Sequence, residues 1–139
     1  GVGAIDVAGA GGTSWSEVEK FRCSNSLNYN TASSFLNWGI PTSKSIVMTK
    51  QGAPVLPIVA SGGVRTAVDV AIAIALGADI VGLALPLLKA ASESKDSVKN
   101  TIIEIIEGLK IAMFCTGSIS INELKNTTLV KKRGAVYGQ

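Results

Sequence analysis

The chain has 139 residues, of which 47% are hydrophobic and 17% charged, with a formal net charge of +3 and no histidine. The lack of histidine excludes Cys–His metal sites and histidine-based catalytic triads from this sequence, and no apolar run reaches the ~20 residues that span a bilayer. A mean hydropathy of +0.37 is high for so short a chain, so we expect one domain or less, whose apolar surface contacts protein outside the sequence.

The positive charge is concentrated at the end of the chain. Residues 1–124 carry nine Lys/Arg against ten Asp/Glu, and the rest adds Lys125, Lys131, Lys132 and Arg133. We favour a solvated tail over a nucleic-acid contact, because aromatic residues are few and are not interleaved with the charges. Cys23 and Cys115 lie far apart without a CxxC partner, which is typical of reduced thiols in a cytoplasmic protein.

The first fifty residues predict one strand and two helices. The strand is Ala4–Ala8, and a short helix follows from Ser14, which with Glu17 matches a capping box. The polar stretch 23–38 is predicted to be a long, mobile connection near a site. A second helix begins at 41 and reaches about residue 50.

The rest of the chain predicts two more strands, each followed by helices. The strands are 55–60 and 80–84, and a helix at 66–76 lies between them. Pro86 suits the first turn of a further helix, which the polar cluster 92–97 breaks. Helices at 98–115, ended by Gly117, and at 119–125 follow, with weak strand candidates at 127–130 and 135–137. The strands are apolar without alternation, so we expect an α/β fold with a parallel sheet.

The segment Ser61-Gly62-Gly63-Val64-Arg65 connects a buried strand to a helix. Glycines at such a turn let the backbone approach an anion, and the first amides of the helix lack internal partners. The next strand ends in Gly82-Leu83-Ala84-Leu85. Two adjacent strand ends that offer amides to one phosphate are typical of the last two strands of a (β/α)8 barrel. The simpler alternative is a plain strand–helix turn in which glycine only permits a positive φ.

Several individual residues near these turns allow a functional and a structural interpretation. Arg65 can neutralise a phosphate or lie along its helix. Thr13 can contact the polar edge of a ring or cap a helix, and Trp15 can cover a ligand or pack in a core. Asp6 is predicted to bond to loop amides rather than to act in catalysis, and Asp79 is predicted to be structural.

Five segments together resemble the type 2 isopentenyl-diphosphate isomerase family, which is flavin-dependent. The resemblance covers about residues 1–125 in order. The Gly-Gly-Thr-Ser-Trp and Trp-Gly-Ile-Pro-Thr combinations are its most specific parts, whereas other flavin barrels share looser forms of three segments. The five segments are residues 4–15, 37–42, 61–66, 82–86 and 113–118.

The resemblance implies the C-terminal half of a TIM (β/α)8 barrel, about strands six to eight with their helices. Residues 1–125 would be part of an FMN-binding barrel, and residues 126–139 a basic tail. The residues around the FMN phosphate would be Gly62, Gly63, Val64, Arg65, Ala84 and Leu85, and Thr13 would touch the flavin. Ala8 stands where the family often has serine, so one polar flavin contact is expected to be missing.

The resemblance also implies an activity: interconversion of isopentenyl diphosphate and dimethylallyl diphosphate by proton addition and elimination assisted by reduced FMN. Mg2+ and NADPH would bind mainly outside this chain, together with the catalytic base and metal ligands, so no catalytic or metal-binding residue is assigned here. The expected partners are the isoprenoid diphosphate substrate, the rest of the barrel and further copies in a homo-oligomer.

Two alternatives remain open at this point. One is another FMN-dependent barrel oxidoreductase, such as a 2-hydroxy-acid oxidase; that class needs a histidine or equivalent base near the flavin, and the sequence has none. The other is a non-catalytic half-barrel that binds phosphate or flavin and self-associates.

Overall fold

Three short strands form a parallel sheet in the order β1-β2-β3 in the computed structural model, which describes residues 1–130. They are β1 (Ile5–Asp6), β2 (Ile58–Ala60) and β3 (Ile80–Val81). Ile5 is opposite Ile58, and Val59 is opposite Ile80. The predicted parallel α/β arrangement is therefore confirmed, although all three strands are shorter than the predicted 4–8, 55–60 and 80–84.

Helices follow each strand, and the longest of those in the described part of the chain spans Lys95–Thr116. Gly117, with φ of 69°, ends that helix as predicted. The helices are α1 (Trp15–Arg22), α2 (Ser26–Ser33), α3 (Thr42–Gly52), α4 (Ala67–Ala75), α5 (Leu85–Glu93), α6 (Lys95–Thr116) and α7 (Ile121–Lys125).

Two apolar clusters hold the helices against one face of the sheet. In the first, Ile46 of α3 and Ala73 of α4 pack on Ile58 and Ala60, which are both fully buried. In the second, α4 packs against α6 and against Leu124 of α7. The apolar residues of α4 recur at helical spacing on both sides of the helix, so α4 contributes to both clusters.

The opposite face of the sheet is uncovered within the described residues. Asp6, Val59 and Ile80 share this face by register, and Ile80 is 58% exposed. Among residues 1–130, β1 and β3 each pair only with β2, so both edges of the sheet are open. Helices therefore cover one face of the sheet. The other face and both edges remain open to contact with further chain.

The prediction of a long connection over 23–38 is wrong, because α2 occupies its centre. Asn25 begins this helix by accepting a hydrogen bond from the amide of Asn28. The hydroxyls of Thr31, Ser33 and Ser34 donate to carbonyls four residues back. Polar side chains that would favour a loop thus find their partners within the helix.

The capping box predicted for Ser14 and Glu17 does not form. Ser14 lies at the N-cap of α1, but its hydroxyl pairs with that of Ser16. Glu17 instead accepts from Lys20 at 2.6 Å, and this bond raises the pKa of Lys20. The lysine three residues later is the stronger partner for the carboxylate.

Two further predictions need correction. The polar break at 92–97 is only one residue wide, since Ser94 both ends α5 and caps α6 through the amide of Ser97. The segment 127–130 is irregular rather than a strand, and the Thr127 hydroxyl bonds that of Ser118 at 3.3 Å.

Some predictions lie outside the described residues: the strand candidate 135–137 and the basic residues Lys131, Lys132 and Arg133. The division into residues 1–125 and a tail at 126–139 stays a prediction. Over residues 1–130, no helix is both long and apolar enough to cross a membrane.

Asp79 connects three elements at the amino-terminal end of β3. Its carboxylate accepts from the amide of Ile58 at 2.9 Å and from Lys125 of α7 at 2.5 Å. The bond from Lys125, followed by the Ile58 amide, holds the pKa of Asp79 below its ordinary value. Its predicted structural role is confirmed by these contacts.

We expect Asp79→Ala in the complete polypeptide to lower the free energy of unfolding by about 1–2 kcal/mol at pH 7, because two hydrogen bonds lose their acceptor. Since folding lowers the pKa of Asp79, its stabilisation is full above the ordinary value of about 4 and is lost as the pH falls through the lowered value. The measurement is urea denaturation between pH 7 and pH 3.

The control is Glu104→Ala, which removes an exposed carboxylate of α6 that makes no hydrogen bond among residues 1–130. A gap between wild type and Asp79→Ala that stays constant down to pH 3 would contradict the role of the ionised carboxylate.

Candidate functional site

The carboxyl ends of all three strands meet at one edge of the sheet, because the strands are parallel. The loops that follow them surround a hollow of about 560 Å³. All seven residues predicted to bind a cofactor line it. The lining residues are Ala8, Gly9, Gly12, Thr13 and Trp15 from the first loop, Ser61–Arg65 from the second, and Gly82–Leu85 from the third.

Several residues that line this hollow have backbone amides without a partner among the described residues. Those of Gly62, Gly63 and Val64 donate no hydrogen bond within residues 1–130, and neither do those of Leu83, Ala84 and Leu85. Amides need an acceptor when water is excluded, and phosphate oxygens are acceptors with full negative charge. Two neighbouring turns thus offer six donors to one space.

The first backbone amides at the N-terminus of α4 already have hydrogen-bond acceptors, contrary to the expectation that they are free. Asp69 accepts from the amides of Arg65 and Thr66, and the Thr66 hydroxyl accepts from the amide of Asp69. Burial raises the pKa of Asp69, but the bonds from Arg65 and Thr66 outweigh it and leave the pKa below its ordinary value. The free amides are therefore those of the turn before α4.

The N-terminus of α5 is open by contrast. Its N-cap residue is Ala84, which has no side-chain acceptor, and its first turn contains Pro86 and no acidic residue. The positive end of the helix dipole is therefore not neutralised by the helix itself. An anion in the hollow would meet it directly.

Gly62 and Gly63 permit the turn and also allow close packing of two loop backbones. Both have positive φ, 102° and 80°. A Cβ on Gly62 would overlap the carbonyl oxygen of Gly9, and a Cβ on Gly63 would overlap that of Gly11. The first two glycine loops therefore pack backbone against backbone, which fixes the position of the free amides next to Thr13.

Arg65 carries the only charge among the residues that line the hollow. Its guanidinium makes no hydrogen bond or ion pair within residues 1–130. Of the two sequence interpretations, a cation available to an anion agrees better with these facts than one bound along its helix.

Thr13 and Trp15 lie on a wall shared with a second hollow of about 860 Å³. Trp38 and Phe35 line the far side of that space, with their rings edge to face at 5.8 Å. Trp15 is 75% exposed, which favours the ligand-covering interpretation over core packing. A ligand larger than phosphate can extend over Thr13 from one hollow into the other.

Asp6 connects the loops that follow β1 and β2 through hydrogen bonds. Its carboxylate accepts from the amide of Ala8 at 3.1 Å and from the Ser61 hydroxyl at 2.5 Å. The predicted bond to a loop amide is confirmed. Ala8, between these bonds, is the one non-glycine residue with positive φ in the described part of the chain.

Three residues next to the hollow have structural roles that the sequence predictions do not include: Thr66, Asp69 and Thr42. The Thr66-x-x-Asp69 spacing is a capping-box signal that predicts the closed end of α4. Thr42 belongs to the Trp-Gly-Ile-Pro-Thr combination, and its hydroxyl donates to the carbonyl of Gly62 at 2.5 Å. No local signal indicates that contact, because the two residues are 20 apart in sequence.

Comparison with known proteins decides the family. The profile of the FMN-dependent dehydrogenase family matches residues 40–131. The chain belongs to this family. It is also similar to curated proteins named isopentenyl-diphosphate delta-isomerase: 54% identical over 129 residues in Rickettsia bellii, 49% over 134 in Oceanobacillus iheyensis and 46% over 127 in a Nostoc species. It covers 93%, 96% and 91% of its own length in these matches, but only 38%, 38% and 36% of theirs.

The family implies a TIM barrel and FMN as the cofactor. The parallel β/α units agree with that fold. The residues around the hollow fit the phosphate end of FMN, since they supply free amides and one cation and include no carboxylate.

We expect Gly63→Ala in the complete polypeptide to weaken FMN binding at least about tenfold, because the new Cβ meets the Gly11 backbone and the positive φ is strained. Gly52→Ala is the matched control, since a Cβ there meets nothing within 4 Å; it should leave affinity unchanged. Flavin fluorescence titration measures both. Equal affinities for the two variants would contradict the packing of the loops as the source of the site.

Proposed function

We propose that this chain binds the phosphate of FMN in the hollow between the second and third loops. Gly62, Gly63 and Val64 would donate from one side, and Ala84 and Leu85 from the other, with Arg65 as the counter-charge. The observation that carries the proposal is that six amides and one cation without partners among residues 1–130 belong to residues that line a single space. Such an arrangement favours an anion over a neutral ligand.

We place the flavin ring of the bound cofactor on the side of Thr13. The support is that Thr13 lies between the phosphate hollow and the larger aromatic hollow. In this position the Thr13 hydroxyl would contact the polar edge of the ring, and Trp15 would cover part of it. Aromatic side chains at that wall would also limit the access of water to the reacting centre.

We propose the isomerase activity for the complete polypeptide: interconversion of isopentenyl diphosphate and dimethylallyl diphosphate. The identities of 46–54% to curated isomerases support it. When bound and reduced, FMN supplies an electron-rich ring that stabilises positive charge developing on the substrate. The role of this chain is to hold that ring, while Mg2+, NADPH and the substrate diphosphate would bind mainly to the remaining part of the barrel.

We assign the three strands to positions six, seven and eight of the barrel, in a cytoplasmic enzyme. The open outer edges of β1 and β3 would pair with the other strands of the same polypeptide. Exposed apolar residues on the outer helices, such as Ile111 and Phe114 of α6, would be covered within the complete enzyme or in a homo-oligomer.

The second candidate is an FMN-dependent oxidoreductase, which the description of the matching family favours. The relatives named as isomerases match over 91–96% of the chain, compared with residues 40–131 for the family profile. The isomerase is therefore our main proposal.

Arg65→Ala in the complete polypeptide should weaken FMN binding by about 10- to 100-fold, because a charge-assisted bond to phosphate is lost. Riboflavin has the same ring without phosphate, so its affinity should not change. Fluorescence titration with both flavins measures the effect.

The matched control is Lys89→Ala, which removes an α5 cation that does not line the hollow. It should leave both affinities at the wild-type value. Wild-type protein that binds riboflavin as tightly as FMN would contradict the phosphate site, and so would an Arg65→Ala variant with unchanged FMN affinity.

We expect the complete polypeptide, with reduced FMN and Mg2+, to convert isopentenyl diphosphate, and the isolated 139-residue chain to have no activity. The reason is that, among residues 1–130, helices cover only one face of the sheet and both of its edges are open. Product analysis and size-exclusion chromatography with and without FMN measure this. A discrete, yellow and inactive oligomer of the isolated chain would support the flavin-binding half-barrel instead, and 2-hydroxy-acid oxidation without isomerisation by the complete polypeptide would support the oxidoreductase.

A further inference from the structure

The hydroxyl of Thr42 makes a hydrogen bond to a residue outside its own helix. Thr42 is the first residue of α3, and the N-cap position before it is held by Pro41, which offers no side-chain cap. Threonine near a helix start commonly bonds to an amide of the same helix. Here the Thr42 hydroxyl instead donates to the carbonyl of Gly62 at 2.5 Å, in a half-buried position.

This bond fixes the orientation of a peptide at the hollow. The peptide between Gly62 and Gly63 is trans, so its carbonyl and its amide point in opposite directions. When Thr42 holds the Gly62 carbonyl on one side, the Gly63 amide must face the other. Both glycines have positive φ, a region that glycine leaves readily, so the peptide needs an external restraint.

The two sides of this peptide can be distinguished by what lies next to them. Gly11 lies near the Gly62 carbonyl and lines the cavity on the Thr42 side, whereas Gly12 lies near the Gly63 nitrogen and lines the phosphate hollow. Thr42 lines the first space and not the second. The side opposite Thr42 is therefore the side of the hollow.

We propose that Thr42 is a positioning residue for the phosphate site: by holding the Gly62 carbonyl, it directs the Gly63 amide toward the anion. The proposal rests on the proposed function, since it assumes a phosphate in that hollow. Thr42 itself does not touch the ligand, and its effect is transmitted through one peptide.

The test compares Thr42→Val with wild type in the complete polypeptide. Valine keeps the shape of threonine and removes the donor. We expect the preference for FMN over riboflavin, as a ratio of dissociation constants, to fall about tenfold, the effect of one lost bond to a charged group. Riboflavin affinity should stay close to wild type, because only the phosphate contact is affected. A purely structural role would weaken both ligands alike and leave the ratio unchanged.

Two controls define the comparison. Thr31→Val removes a bond of the same kind, from the Thr31 hydroxyl to the carbonyl of Leu27 at 2.9 Å, on α2 and away from both hollows. It should preserve the ratio. Thr42→Ser keeps the hydroxyl and should preserve most of the wild-type ratio.

The outcomes separate the two proposals. A wild-type protein without preference for FMN would overturn the phosphate site. A wild-type preference that Thr42→Val retains would overturn only the role of Thr42.

A measurement on the wild type covers the case in which Thr42→Val fails to fold. In protein labelled with 15N-glycine, the Gly63 amide signal should move on addition of FMN and of inorganic phosphate, but much less with riboflavin. A Gly63 signal that responds equally to riboflavin and FMN would overturn the inference.

Discussion

The contact between two glycine loops determines the geometry of the site. Gly62 and Gly63 lie so close to the backbone of residues 9–11 that neither position has room for a side chain. The bonds from Ser61 to Asp6 and from Thr42 to Gly62 hold the same loops from two other directions. A turn of glycines is flexible in isolation, but these contacts restrain its conformation in the structure.

The N-termini of α4 and α5 differ in whether acidic side chains satisfy their backbone amides. Asp69 satisfies the amides of Arg65 and Thr66, so α4 needs no ligand for a stable N-terminus. Ala84 leaves the start of α5 open. The open start of α5 and the unpaired amides of the turn before α4 would favour an anion, and Asp69 is not among the residues that line the hollow. The site combines a stable helix with unpaired donors.

The sequence predicted the parts of the fold that depend on neighbouring residues. Strand, glycine turn and apolar helix follow one another at 58–75 and were correctly predicted, because burial and helical spacing are visible locally. The helix α2 was missed because Thr31, Ser33 and Ser34 resemble a loop until their hydroxyls are seen to bond within the helix. The Thr42–Gly62 bond was missed because it joins residues from different β/α units, and neither residue has a pattern that indicates the other.

The two faces of the sheet explain why this chain forms only one wall of a site. Ile58 and Ala60 are buried under the helices, so the described elements share a core on that side of the sheet. Asp6, Val59 and Ile80 point to the other side, where residues 1–130 supply no cover. In a closed barrel that side is the packed interior beneath the ligand. The contacts that position the free amides therefore lie within residues 1–130, whereas we expect exclusion of water from a bound flavin ring to require the strands that would pair with β1 and β3. Placement of the free amides and exclusion of water from a reacting centre thus have different structural requirements, and the elements described supply only the first.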